Sequence, residues 1–94
     1  MISEHVEIQL EPGAGRDLEA AFDEIRALLL AAPGCTEATL SRSVDRAETY
    51  LLRALWNRLE DHTEVFAVSP AGTRVRKLIQ PLCSAAPRVT HYEH

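Results

Sequence analysis

Residues 4–10, EHVEIQL, set Val6, Ile8 and Leu10 against His5, Glu7 and Gln9. A period of two marks a half-buried strand, whose successive side chains leave on opposite faces. The run stops at Pro12-Gly13-Ala14-Gly15, a turn cluster. From 16 to 32 the period changes. Leu18, Phe22, Ile25, Leu29 and Ala32 recur at intervals of three and four and form one stripe of a helix. The Ala and Leu content favours that helix, and Pro33-Gly34 ends it. Residues 35–44, CTEATLSRSV, predict a weaker strand in which Thr36, Ala38 and Leu40 alternate with Cys35, Glu37 and Thr39. Asp45, Arg46 and Ala47 form its hairpin loop, so 48–56, ETYLLRALW, returns antiparallel. Tyr50, Leu52, Ala54 and Trp56 share one face of that strand.

Asn57 with Glu60 three residues on resembles a capping box, with Asn in place of the more usual Ser or Thr. It predicts a short helix with Leu59, His62 and Phe66 on one face. Ser69-Pro70 caps and opens a further helix through about Gln80, with Val75, Leu78 and Ile79 inward. Pro81 closes it. Residues 88–93, RVTHYE, predict a last strand that sends His91 and Tyr92 to opposite faces.

The order is β-α-β-β-α-β, with the second helical region broken in two. The fold class is therefore α+β, ferredoxin-like, with an antiparallel four-stranded sheet in one domain over residues 1–94. Right-handed crossovers put both helices on one face of the sheet. The other face is bare, and several of its residues read as apolar. Such a face usually marks an interface or a ligand site, so the expectation is a homodimer joined through sheet faces.

Length strengthens that expectation. A chain of 94 residues buries only about 60–65% of its unfolded surface, and small domains often need a disulfide, a metal or a partner. Cys35 and Cys83 make no disulfide framework, and no Cys/His cluster has metal-ligand spacing. The expectation is two reduced thiols and no metal. A net charge of −4 and a pI near 5.5 argue against nucleic acid. Arg74, Arg76 and Lys77 make too short a basic cluster to change that. No stretch approaches the apolar length of a membrane span, and Glu4, His5 and Glu7 do not suit a signal peptide. A cytoplasmic protein is expected.

An ordered set of residues then acquires meaning together: Pro12-Gly13, Phe22, Pro33-Gly34-Cys35, Tyr50-Leu51-Leu52 running into Trp56, Glu60-Asp61-His62-Thr63 with Phe66 and Ser69, then Leu78, Pro81 and Val89-x-His91-Tyr92-Glu93. This set resembles the antibiotic biosynthesis monooxygenase family of dimeric α/β barrels over nearly the whole chain. The resemblance implies two four-stranded sheets packed face to face, with a pocket in each subunit between sheet and helices. Some members oxygenate phenolic or quinol-like molecules without metal or flavin, so no cofactor is implied. Others degrade haem. The haem-degrading pattern has a tryptophan inside the second helix and a histidine ten residues later. Here Trp56 ends a strand and His62 follows six residues on, which speaks against that branch. Many relatives also carry an acid two residues before the strand tryptophan, where this chain has Ala54. A polar group expected on the pocket wall is thus missing from that position.

On this resemblance the candidate catalytic residues are Trp56, His62 and Arg76. Trp56 would stack a flat substrate. His62 would take a phenolic proton as general base. Arg76, or Arg74 beside it, would steady the anion. Tyr50, Leu52 and His91 are the candidate substrate-binding residues. His5 belongs to the polar-looking face of the first strand, and His94 is terminal and expected to be mobile. Cys35 follows a helix end, where nothing lowers a thiol pKa. The functional expectation is a cofactor-independent monooxygenase of hydroxylated aromatics or quinols. The alternatives are a dimeric module that binds such a molecule without changing it, and a structural dimer whose own side chains fill the pocket.

Overall fold

The alternation read along the first strand becomes burial in the computed structural model, which describes residues 1–94. In β1 (Ile2–Gln9), Glu4, Val6 and Ile8 are buried, while His5 and Glu7 are half covered and Gln9 is exposed. The turn at 11–14 leads into α1 (Gly15–Leu30), which buries Leu18, Ile25 and Leu29. β2 (Cys35–Arg42) and β3 (Thr49–Trp56) form the expected hairpin, though its loop spans 43–48 and so shortens both predicted strands. A wide π-helical turn (Asp61–Phe66), α2 (Pro70–Ile79), a short 3-10 turn (Gln80–Leu82) and β4 (Arg88–Glu93) complete the chain. The sheet order is β2-β3-β1-β4, antiparallel throughout. This is the ferredoxin-like arrangement, with an open sheet in the single chain.

Register decides which residues face the helices. Glu4 pairs with Ala54 on one side and with His91 on the other, and Val6 pairs with Leu52 and Val89 in the same way. These residues, with Ile8, Tyr50 and Trp56, face the core beneath α1 and α2. A bulge between Cys35 and Glu37 turns Cys35 inward opposite Trp56. Simple alternation had put Cys35 with Glu37, and one inserted residue reverses that choice. The bare face differs from expectation as well. It carries Leu51, Leu55 and Tyr92, but they stand among His5, Glu7, Thr39, Ser41, Arg53 and Thr90. The face is mainly polar because its strands alternate more strictly than the aliphatic run at 50–56 suggested.

The broken helical region holds two caps, one unexpected. Asn57 caps nothing with its side chain, and its N–H donates to Gly34 O at 2.8 Å. The Asp61 carboxylate caps instead, accepting from the Arg58 N–H at 3.2 Å and from its guanidinium at 3.2 Å. An i+5 bond from Ala67 N–H to His62 O, 2.8 Å, gives the turn its π character. Ser69 is the cap read from the sequence. Its Oγ accepts from Gly72 N–H at 3.1 Å, with Pro70 at the first helical position. Ser69→Ala is therefore expected to cost about 1 kcal/mol, seen as a fall in thermal midpoint of about 4–8 °C. His94 is tied down, contrary to expectation: its N–H donates to Met1 O at 3.0 Å, and Nε2 lies 2.9 Å from Ser3 Oγ.

Candidate functional site

Three strands and one turn meet at the Trp56 end of the sheet. β1 brings Glu4, β3 brings Trp56 and β4 brings His91, and the π turn lowers His62 onto them. Trp56 is fully buried. Its ring stacks on His62, with centroids 5.4 Å apart and planes at 25°, and meets Phe66 at 5.5 Å. A buried indole N–H needs an acceptor. Glu4 supplies it: Trp56 Nε1 donates to Glu4 Oε1 at 3.0 Å. The second carboxylate oxygen lies 3.2 Å from His62 Nε2. The other His62 nitrogen, Nδ1, lies 2.9 Å from His91 Nε2. Four side chains from three strands and one turn thus form one polar cluster, with hydrogen bonds from Trp56 to Glu4 and between His62 and His91, and a 3.2 Å approach of His62 to Glu4 between them.

Chemistry fixes one direction in that cluster. Trp56 can only donate, so Glu4 Oε1 accepts. Between the two histidines one ring nitrogen donates and the other accepts, the roles being set by their tautomers. Burial makes the neutral form of His62 the stable one, pushing its pKa down to about 4, with charge on His91 acting in the same sense. Burial also raises the Glu4 pKa, and the Trp56 hydrogen bond opposes that rise.

Beside this cluster lies a cleft of about 270 Å³, lined by Glu4, His62, Leu52, Phe66, Val75 and Arg76 among others. Its walls are largely aliphatic, and its polar groups converge from Glu4, His62 and Arg76. Arg76 is exposed at the rim, where its guanidinium donates to Ala67 O at 2.9 Å and to Thr73 Oγ1 at 3.1 Å. A guanidinium has five N–H donors, so some stay available to a ligand. Arg74 points elsewhere and pairs with Glu24 on the surface.

The structure therefore brings Leu52, His62 and Arg76 to one cleft, with Trp56 and His91 joined to it through Glu4 and His62. Trp56 does not line the cleft, because His62 and Phe66 cover its ring, so it cannot stack a ligand there. Tyr50 lies apart, at the opposite end of β3. Its hydroxyl donates to Glu19, and its ring packs beside Gly15. His5 faces the bare side, 4.7 Å from Tyr92. Cys35 is a buried thiol whose pKa burial raises.

Sequence reasoning missed Glu4. Its signal was present: Glu4 shares the parity of Val6, Ile8 and Leu10, which places a carboxylate on the buried face. The empty acid position at Ala54 was also half of the answer. Ala54 and Glu4 are cross-strand partners, so the neighbouring strand delivers the acid over a residue small enough to admit it.

With this geometry in place, comparison with known proteins defines the class. The profile of the family described as antibiotic biosynthesis monooxygenase matches residues 1–71. The chain belongs to that family. It is 27% identical over 93 residues to the uncharacterised protein YczJ of Bacillus subtilis, covering 99% of this chain and 98% of the relative. A crystal structure from Bordetella bronchiseptica, assigned to the antibiotic biosynthesis monooxygenases, superposes with a TM-score of 0.94. It is 30% identical and covers 99% of this chain and 95% of its own. SnoaB of Streptomyces nogalater, a cofactor-independent oxygenase, shares the fold with a TM-score of 0.81 at 16% identity, over 99% of this chain and 91% of its own.

Proposed function

We propose that this protein is a homodimeric, cofactor-independent monooxygenase of a small hydroxylated aromatic or quinol-type molecule. The observation that carries the reading is the Glu4–His62 pair at the wall of an apolar cleft, with the Arg76 guanidinium at its rim. A cleft of about 270 Å³ sits near the lower end of ligand-binding pockets, so it suits one or two rings. It also speaks against a dimer whose own side chains fill the pocket.

The chemistry needs a proton acceptor and an anion partner. Loss of the hydroxyl proton leaves an electron-rich phenolate, which passes an electron to dioxygen. One oxygen atom then enters the ring or benzylic carbon, and the other leaves as water with two hydrogens drawn from the substrate. The substrate supplies all four electrons, so the balance closes without a flavin or metal. Arg76 steadies the anion. The two copies join through the mixed bare face, where Leu51, Leu55 and Tyr92 stand among polar side chains, and the cleft lies on the opposite, helical side.

The test is oxygen uptake by metal-free and flavin-free protein with a panel of quinols and anthrone-like phenols. Uptake is expected to fall by about 10²-fold in His62→Ala, within the range general acid–base machinery supplies. Ligand binding without uptake would identify a binding module instead.

A further inference from the structure

We infer that Glu4, and not His62, takes the proton from a ligand hydroxyl held in this cleft, with His62 acting as a positioning residue. The inference rests on the proton-removing reading proposed above. It begins from lone pairs. Both ring nitrogens of His62 are engaged, Nε2 with Glu4 at 3.2 Å and Nδ1 with His91 at 2.9 Å. With Nδ1 bonded to His91 and Nε2 facing a carboxylate oxygen, the imidazole is badly placed to take a ligand proton. An ionised carboxylate has about four lone-pair sites. Glu4 uses one on Trp56, its second oxygen stands 3.2 Å from His62 Nε2, and it lines the cleft. Its remaining sites are open to a ligand.

The surroundings fit that role. Glu4 meets Ala54 and Trp56 from β3, His91 from β4 and His62 from the π turn, while the Cys35 thiol of β2 feels its charge and Arg76 of α2 lines the same cleft. Trp56 holds one oxygen by a hydrogen bond and His62 stands 3.2 Å from the other, so each carboxylate oxygen has a defined neighbour. His91 holds the His62 ring from its far nitrogen, Nδ1. Burial raises the Glu4 pKa and lowers that of His62 to about 4, so Glu4 gains basicity where His62 loses it. In the step itself the ligand O–H bond breaks and its electron pair stays on the ligand oxygen. The proton bonds to a Glu4 oxygen, and Arg76 faces the new anion. Nothing is oxidised in this step.

4-Nitrophenol reads the step without any oxygenation, because its phenolate absorbs visible light and its neutral form does not. Added to the native protein below its own pKa, it is expected to acquire the phenolate band on binding. Glu4→Gln keeps an oxygen for the Trp56 N–H and should lose the band by about tenfold or more, the scale expected of a lost general base. His62→Gln, whose amide can still donate to Glu4, should retain most of it. Circular dichroism and emission from Trp56, the single tryptophan, verify that each variant is folded. Glu4→Asp, with a shorter acid, should restore part of the band. A band that survives Glu4→Gln and vanishes in His62→Gln overturns the assignment, and so does the lack of a band in native protein. Oxygen uptake is scored separately: a phenolate band without uptake removes the oxygenase reading and leaves Glu4 as the proton acceptor.

Discussion

Trp56→Ala will remove a large part of this domain's stability. The indole is fully buried between the rings of His62 and Phe66, and truncating such a side chain costs about 3–5 kcal/mol. The variant also strips Glu4 of the Trp56 N–H it accepts, and an unsatisfied buried acceptor costs about 1–3 kcal/mol more. A domain of this size has only about 5–14 kcal/mol in total. At about 4–8 °C per kcal/mol, the thermal midpoint should fall by more than about 12 °C, measured at fixed protein concentration because association adds to apparent stability. Trp56→Phe separates the two causes, since it fills most of the volume and removes only the N–H. If Trp56→Ala lowered the midpoint by less than about 5 °C, the ring would not be the keystone of this end of the sheet. The same substitution bears on function. Trp56 lies behind the cleft wall against Glu4, His62 and Phe66, so the phenylalanine variant, which keeps an aromatic ring there, should disturb the carboxylate more than the wall that a ligand touches.

The sequence held most of the fold and part of the site. Period-two runs at 4–10 and 48–56 located the two central strands because one face of each is buried and the other is not. The stripe Leu18, Ile25, Leu29 located α1 for the corresponding helical reason. What stayed hidden was set by register and by side-chain reach. The bulge at Cys35 depends on a single inserted residue that alternation cannot reveal. The separation of Tyr50 from the cleft follows from its position six residues before Trp56 on one extended strand, roughly 20 Å at the usual rise. Shared parity told that the two residues face the same way and not that they lie far apart. Glu4 is the instructive case. An acid on the buried parity of a strand is costly unless something hydrogen-bonds it, so its presence among Val6, Ile8 and Leu10 signals partners. Identifying those partners as Trp56 and His62 required the β1–β3 register and the placement of the π turn.

Gly34→Ala will be the second severe change, and it will act on the site from outside it. Gly34 has φ +86°, and an added Cβ would lie 2.6 Å from Asp61 Cγ and closer still to its Oδ2. The left-handed conformation costs an L-residue about 1–2 kcal/mol, and overpacking a tight contact adds about 1–3 kcal/mol. Gly13→Ala supplies the control. Its φ is +82°, but an added Cβ there meets nothing within 4 Å, so it should show the backbone cost alone. The difference between the two midpoints isolates the clash with Asp61. That clash matters because Asp61 anchors the start of the π turn through Arg58, and the next residue is His62. Pushing Asp61 away should lengthen the 3.2 Å contact from His62 to Glu4 and change the emission of the stacked Trp56 in protein that remains folded. Equal destabilisation by the two alanines, with unchanged Trp56 emission, would show that the α1–β2 turn does not set the height of His62 above the sheet. The expected inequality would make Gly34 the residue that lets two chain segments approach closely enough for a histidine from the turn to meet a carboxylate from the sheet.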